Sequence, residues 1–308
     1  MSWKQIIVGV DASPAAARAA QLGLKIAAAA NAECRLVHAT RDTWSLAAEG
    51  GLQAQAAAFR AAALHEVRAQ IEAALAGEVP WDVLHDLQVR EGWPPAALDD
   101  DVRESGADLL VLGAKHHTAL GRWLGGSTVH NVARMMRAPL LVVGSPPAAI
   151  RRVLVTVDAS SAARPTLEFA QRFADLFDAE LRVLHVIEPL PILPETPPPV
   201  NPSDYERLLE EECEQKIWPL VGPDVQKITR HASAETGIAA EAQTWGADVV
   251  VVGSHGKGFV ERMLVGSVTE RLLNQLPSPM LLIVPAGRGA PRAGTAKVSA
   301  AKTAAAVR

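Results

Sequence analysis

The chain repeats itself. Ile6-Ile7-Val8-Gly9-Val10-Asp11-Ala12-Ser13 returns as Val153-Leu154-Val155-Thr156-Val157-Asp158-Ala159-Ser160, an offset of 147. Under that offset Leu36-Val37-His38 falls on Val183-Leu184-His185. Further along, Gly106-Ala107-Asp108-Leu109-Leu110-Val111-Leu112-Gly113 returns as Gly246-Ala247-Asp248-Val249-Val250-Val251-Val252-Gly253, now offset by 140, and Pro139-Leu140-Leu141-Val142-Val143 matches Pro279-Met280-Leu281-Leu282-Ile283. The offset changes in a stretch that reads as loop and helix, between the second and third apolar runs. Matches in this order mark a duplication, so one fold must serve both halves.

The repeated runs are short, continuous and rich in Val, Ile and Leu, as strands covered on both faces are. They predict strands near 4–10, 34–39, 83–90, 108–113 and 139–143 in copy one. Copy two should have them near 151–157, 180–187, 225–230, 248–253 and 279–284. Ala-rich stretches lie between, such as Pro14 to Ala30, where Ser13-Pro14 reads as an N-cap and first helical residue. Its counterpart runs from Ser160 or Ser161 through Phe177. A further helix is expected from Ser203 or Asp204 through Lys216, its Glu210-Glu211-Glu212 run being a solvated face. Strand and helix alternate, which predicts an α/β class with a parallel sheet.

Residues 1–146 and 147–286 are the expected domains, parted near Ser145-Pro146-Pro147. The stretch from Glu188 to Ser203, with Pro197-Pro198-Pro199, reads as an exposed extended loop. Residues 287–308 read as a disordered tail. With 49% hydrophobic and 21% charged residues, each half can build a core. A formal charge of −4 gives no reason to expect nucleic acid. No apolar run approaches the ~20 residues of a membrane span, and the start lacks a signal-peptide pattern. Cys34 and Cys213 have no metal-ligand spacing and read as thiols of a reducing compartment, so a cytoplasmic location is expected.

In an open parallel sheet, ligands bind beyond the carboxyl ends of the strands where strand order reverses. The first strand of each copy ends in an acid, Asp11 or Asp158, and the fourth in a glycine-bearing loop. Copy two reads Gly253-Ser254-His255-Gly256, nine residues, then Gly266-Ser267-Val268-Thr269. Glycines let backbone approach a phosphate, and Gly266-Ser267 opens an expected helix, Val268 to Gln275, whose free N–H groups favour an anion. Ser267 and Thr269 add hydroxyl donors. Lys257 and Arg262 could balance phosphate charge, and His255 could touch ribose or phosphate. The pattern matches neither the Walker nor the dinucleotide fingerprint, and the glycines could equally serve tight turns.

On these residues both copies resemble universal stress protein domains, whose nucleotide-binding members carry Gly-x-x-Gly, nine residues, then Gly-Ser/Thr. The resemblance covers about residues 4–144 and 151–285. It implies two tandem Rossmann-like (adenine nucleotide alpha hydrolase-like) domains, each a five-stranded parallel sheet of order 3-2-1-4-5 with helices on both faces. It further implies ATP or another adenine nucleotide, with Mg or Mn accompanying the phosphates. Asp158 and the backbone of Val186 would lie near adenine; Gly253, Gly256, Gly266, Ser267 and Val268 would surround ribose and phosphates. The matching positions in copy one are Asp11, Ala39, Gly113, Gly126, Ser127 and Thr128. There the pattern breaks at His116, which stands where the second glycine belongs, so copy one is expected to bind nucleotide weakly, differently or not at all. His38 and His185, at the end of strand two, read as packing and local hydrogen-bonding residues.

The resemblance implies a stress-response sensor or binding module, with no catalytic residue evident. A slow ATP hydrolase and a nucleotide-free interaction protein stand as alternatives. It also implies an intramolecular pseudo-dimer, with strands Leu140 to Val143 and Met280 to Val284 paired antiparallel, and it allows a homodimer. No membrane partner is expected.

Overall fold

The computed structural model describes residues 3–41, 53–117, 122–124, 127–190, 201–254 and 266–285. Copy one runs β1 (Gln5–Gly9), α1 (Pro14–Ala30), β2 (Glu33–Thr40), α2 (Gln53–Leu75), α3 (Trp81–His85), β3 (Gln88–Glu91), α4 (Pro94–Ser105), β4 (Leu109–Gly113), β5 (Lys115–His117), β6 (Arg122–Leu124), α5 (Ser127–Met135) and β7 (Leu140–Val143). Copy two runs β8 (Arg152–Thr156), α6 (Ala163–Asp175), β9 (Glu180–Ile187), α7 (Pro202–Lys216), β10 (Gln226–His231), α8 (Ala234–Trp245), β11 (Val249–Gly253), α9 (Ser267–Asn274) and β12 (Met280–Val284).

Each copy contributes five parallel strands, β3-β2-β1-β4-β7 and β10-β9-β8-β11-β12, the order 3-2-1-4-5 in both. The two halves join through β7 and β12, which pair antiparallel with Leu141 opposite Leu282 and Val142 opposite Leu281. The result is one ten-stranded sheet. Residues of β7 and β12 are almost wholly buried, and the apolar layer on each face of the sheet draws on both copies. Trp3 of copy one meets Phe169 of copy two edge to face, with ring centroids 5.2 Å apart. At the seam Arg18 Nε donates to Gly144 O at 2.8 Å.

Local chemistry explains why these segments form. Ser13 caps α1 by accepting from Ala16 N, Pro14 follows at the first helical position, and Asn31 ends the helix in the left-handed region. The helix is small-faced so that it can lie close: a Cβ on Gly23 would stand 2.4 Å from Val8 Cγ2. The duplicated Gly-Ala-Asp acquires a reason too. Gly106 and Gly246, at φ +67° and +70°, end α4 and α8. Ala107 and Ala247 are buried. Asp108 Oδ2 then accepts from the amides of Lys4 and Gln5, as Asp248 Oδ2 does from Arg151 and Arg152, tying the fourth strand of each copy to the start of its first.

The expected strand at 83–90 is corrected to Gln88–Glu91. Residues 81–85 are helical, because Pro80 starts a turn there that drops Leu84 into the core while Trp81 stays exposed. The helix expected after Ser160 begins later, at Ala163, and ends at Asp175. Copy one also carries an unexpected hairpin, β5 against β6. Residues 191–200 and 287–308, expected as a loop and a tail, lie outside the described residues. No helix among the described residues is long and apolar enough to cross a membrane. Cys213 is buried, and burial pushes the Cys34 thiol up to about 12, so Cys34 presents no thiolate at neutral pH.

On the far face of copy two, buried Glu241 joins two arginines, accepting from Arg182 Nη1 at 2.7 Å and Arg230 Nε at 2.6 Å. Arg182 also lies 4.2 Å from the centre of the Trp245 ring. Burial pushes the Glu241 carboxyl up, and the hydrogen bonds and charges of Arg182 and Arg230 outweigh it, leaving a pKa below the ordinary value. The folded value is the lower one, so this contribution is present above the unfolded pKa of about 4.3. It is lost as pH falls through the folded value. Glu241→Gln should destabilise the protein by about 3 kcal/mol at pH 7. In urea melts run at successive pH values, that difference should shrink as the pH falls below about 4.

Candidate functional site

Strand order reverses between β8 and β11. From β8 the chain turns to β9 on one side, while β11 flanks β8 on the other. Beyond the carboxyl ends of these three strands opens a cavity of about 360 Å³. Copy one has the equivalent opening, lined by the ends of β1, β2 and β4, of about 220 Å³. Pockets for small molecules usually span about 300–1,000 Å³; only the copy-two cavity falls in that range.

The expected residues of copy two come together here. Asp158, Val186, Gly253, Gly266, Ser267 and Val268 all line the larger cavity. Asp158 Oδ1 accepts from both the amide and the hydroxyl of Ser160, an Asx turn that fixes the carboxylate at the strand end. His185 Nδ1 sits 2.8 Å from Val157 O, so the ring donates to the strand-one carbonyl. His38 repeats this with Val10 O at 2.7 Å. Both histidines therefore brace strand two against strand one, as the sequence suggests.

At the other end of the cavity, Gly266 is the N-cap of α9 and offers no side-chain cap. By contrast α1 is capped by Ser13 and α7 by Asn201. The amides opening α9 thus face the cavity with no capping side chain. One expected donor is reassigned: Thr269 Oγ1 donates to Gly253 O at 2.9 Å. Gly266 N likewise donates to Ser254 O at 2.8 Å. These two bonds hold the start of α9 against the end of β11, which leaves Ser267 and Val268 as the expected residues fronting a ligand. The acids flanking α9 are paired, Glu270 with Arg134 and Glu235 with Arg271 at 3.1 Å. Gly256, His255, Lys257 and Arg262 lie outside the described residues.

Copy one is built differently. Asp11, Ala39, Gly113 and Thr128 line its smaller cavity, and Ser127 opens α5; Gly126 lies outside the described residues. At the position of the second glycine, His116 pairs with Trp123 in the β5–β6 ladder, so the chain leaves β4 as a hairpin. Gly113 has a packing reason of its own: a Cβ there would stand 2.4 Å from Ala15 O. Gly113→Ala should destabilise the protein by roughly 1–3 kcal/mol in denaturant melts, as overpacking does, whatever the ligand state.

Sequence reading missed a second wall of the larger cavity. Tyr205 and Leu209 of α7, Ala234 and Ile238 of α8, and Glu188 at the end of β9 line it as well. Tyr205 is the only tyrosine in the chain and follows the Asn201-Pro202 helix start, the one signal that could have drawn attention to it.

The universal stress protein family model matches residues 2–144 and 149–284. A universal stress protein of Mycolicibacterium smegmatis is 29% identical over 190 residues, covering 58% of this chain and 62% of that relative. One from Mycobacterium tuberculosis is 26% identical over 317 residues, covering 90% and 94%. A universal stress protein structure from Archaeoglobus fulgidus superposes with a TM-score of 0.60 at 19% identity, over 92% of this chain and 98% of that one. That last likeness concerns the fold.

Proposed function

This chain belongs to the universal stress protein family, and on that footing we propose that its second domain binds ATP or another adenine nucleotide, as a sensor or binding module in a stress response. One observation carries the reading. A single cavity of suitable size runs from an acidic strand end, Asp158, to the uncapped first turn of α9. An adenine presents N–H donors to acceptors such as a carboxylate and a strand carbonyl. A phosphate accepts from helix N-terminal amides and is favoured by the helix dipole. The two ends of the cavity offer these complements at opposite sides of strand β8.

The phosphates would meet neutral amides at α9, and paired acids rather than free ones beside it. Among the described residues no group of three or more His, Cys, Asp or Glu is placed to hold a metal ion. Mg or Mn would accompany the phosphates. The polar groups nearest the strand ends already have structural partners, His185 with Val157 and Asp158 with Ser160, which favours binding over turnover. Domain one, with the smaller cavity and His116 where the second glycine belongs, contributes little to nucleotide affinity. The cytoplasm, where ATP is abundant, is the expected setting.

Gly266→Asp tests this without disrupting the fold. Gly266 has φ −59° and ψ 149°, open to any residue, and aspartate is a good N-cap. It should keep or raise the melting temperature while placing a carboxylate where the phosphate is proposed to sit. In isothermal titration, ATP affinity should fall at least a hundredfold, and Gly266→Asn should lose less. Equal ATP affinity in wild type and Gly266→Asp would reject the site.

A further inference from the structure

The larger cavity is closed on its far side by two helix faces that the family motif does not include. Tyr205 and Leu209, one turn apart on α7, line it from one layer. Ala234 and Ile238, one turn apart on α8, line it from the other. The layers are those on opposite faces of the sheet: the continuation of α7, through Cys213 and Ile217, packs into one core, and Ile238 and Ala242 pack into the other. Between them the floor is the end of β9, Val186 and Ile187. The shape is a slot over a strand end. Leu209, Ala234 and Ile238, with the Tyr205 ring, make the two flanks of this slot largely apolar, while Asp158, His185 and Glu188 also line the cavity. A flat aromatic ring suits such a slot better than a sugar or a phosphate does.

Both walls are held in place. Asn201 Oδ1 accepts from Ser203 N at 3.0 Å and fixes the start of α7 one turn before Tyr205. Glu188 Oε1 accepts from Ala234 N at 3.0 Å and ties the start of α8 to the end of β9. Tyr205 itself is half-buried and lines the cavity. In copy one, Pro94 and Leu98 match Ala234 and Ile238, but among the described residues no side chain of α2 reaches the cavity. Among the described residues, the helix that follows the second strand lines the cavity in copy two and not in copy one.

We infer that Tyr205 is the stacking platform for the base and makes the second domain selective for purine nucleotides. The inference rests on the nucleotide reading above and adds to it a residue, a direction and a preference. With the base on Tyr205 and the phosphates at α9, the nucleotide lies across the end of β8, its base toward β9. A base-on-aromatic stack is sequence-tolerant but grows with ring area, so purines gain most.

The test compares wild type, Tyr205→Phe and Tyr205→Ala by isothermal titration with ATP, CTP and inorganic tripolyphosphate, after melts establish that all three proteins fold. ATP should bind wild type more tightly than CTP. Tyr205→Ala should weaken ATP about tenfold and narrow the ATP–CTP difference. Tyr205→Phe should stay within about threefold of wild type. Tripolyphosphate affinity should be equal in all three proteins, because the phosphate end is unchanged. Undiminished ATP binding by Tyr205→Ala overturns the platform alone, as does a parallel loss of tripolyphosphate binding. Failure of wild type to bind ATP at all overturns the nucleotide reading and the platform with it.

Discussion

The β7–β12 pairing is the constraint on which the remaining geometry depends. A five-stranded parallel sheet of this order leaves its fifth strand as an edge, and Leu140–Val143 or Met280–Val284 alone would be an apolar edge open to any other strand. Pairing the two edges antiparallel removes both, buries them completely and continues each apolar layer across the seam. It also fixes the two clefts in a pseudo-twofold arrangement. The polar contacts at the seam are not symmetric. His130 and Arg134 on α5 occupy the positions that Glu270 and Asn274 hold on α9, and they meet across the seam as His130 with Asn274 and Arg134 with Glu270. Exposed pairs of this kind contribute about 0–1 kcal/mol each. Apolar burial therefore holds the seam together, and the unlike charges favour pairing of one copy with the other over pairing of like copies.

Covalent fusion lets the clefts diverge, and they have. In copy two, α9 opens at Gly266, whose position supplies no side-chain cap, beside the end of β11. In copy one the chain leaves β4 as a hairpin that carries His116 in a ladder. The conserved-looking features therefore separate into two kinds. Asp11 and Asp158, with their serines, and His38 and His185, with their carbonyls, are the same in both copies and brace the strand ends. The larger cavity is in copy two, and among the described residues only copy two has a wall from the helix after its second strand, at Tyr205 and Leu209. A shared scaffold thus carries two clefts of unequal volume, about 360 Å³ and 220 Å³.

Much of this was legible in the residues. The duplication and the continuous apolar runs give the class, and the Ser13-Pro14 signal gives the first helix to the residue. Strand three was misread because Val83 and Leu84 supply apolar character that a five-residue helix uses for burial. In a run so short, periodicity does not separate helix from strand. Gly253 and Gly266 of the glycine motif do line the cavity, since glycine's special backbone role shows in sequence. Thr269 was read as a ligand donor because nothing in a string of letters shows that Gly253 O lies 2.9 Å from its hydroxyl. The Tyr205 wall was invisible for a related reason. It comes from a helix some twenty residues beyond the nearest motif position, and only the crossover from β9 to α7 brings it back over the strand end.

The central claim is that one of two homologous clefts takes the nucleotide, with its base between β9 and α7. Photo-crosslinking with 8-azido-ATP, followed by peptide mapping, addresses it directly, because the reactive group sits on the purine. The label should be confined to copy two, in peptides spanning β9 or the first turns of α7, and unlabelled ATP should compete it away. Label recovered from β2 of copy one, or divided evenly between the copies, would contradict the account.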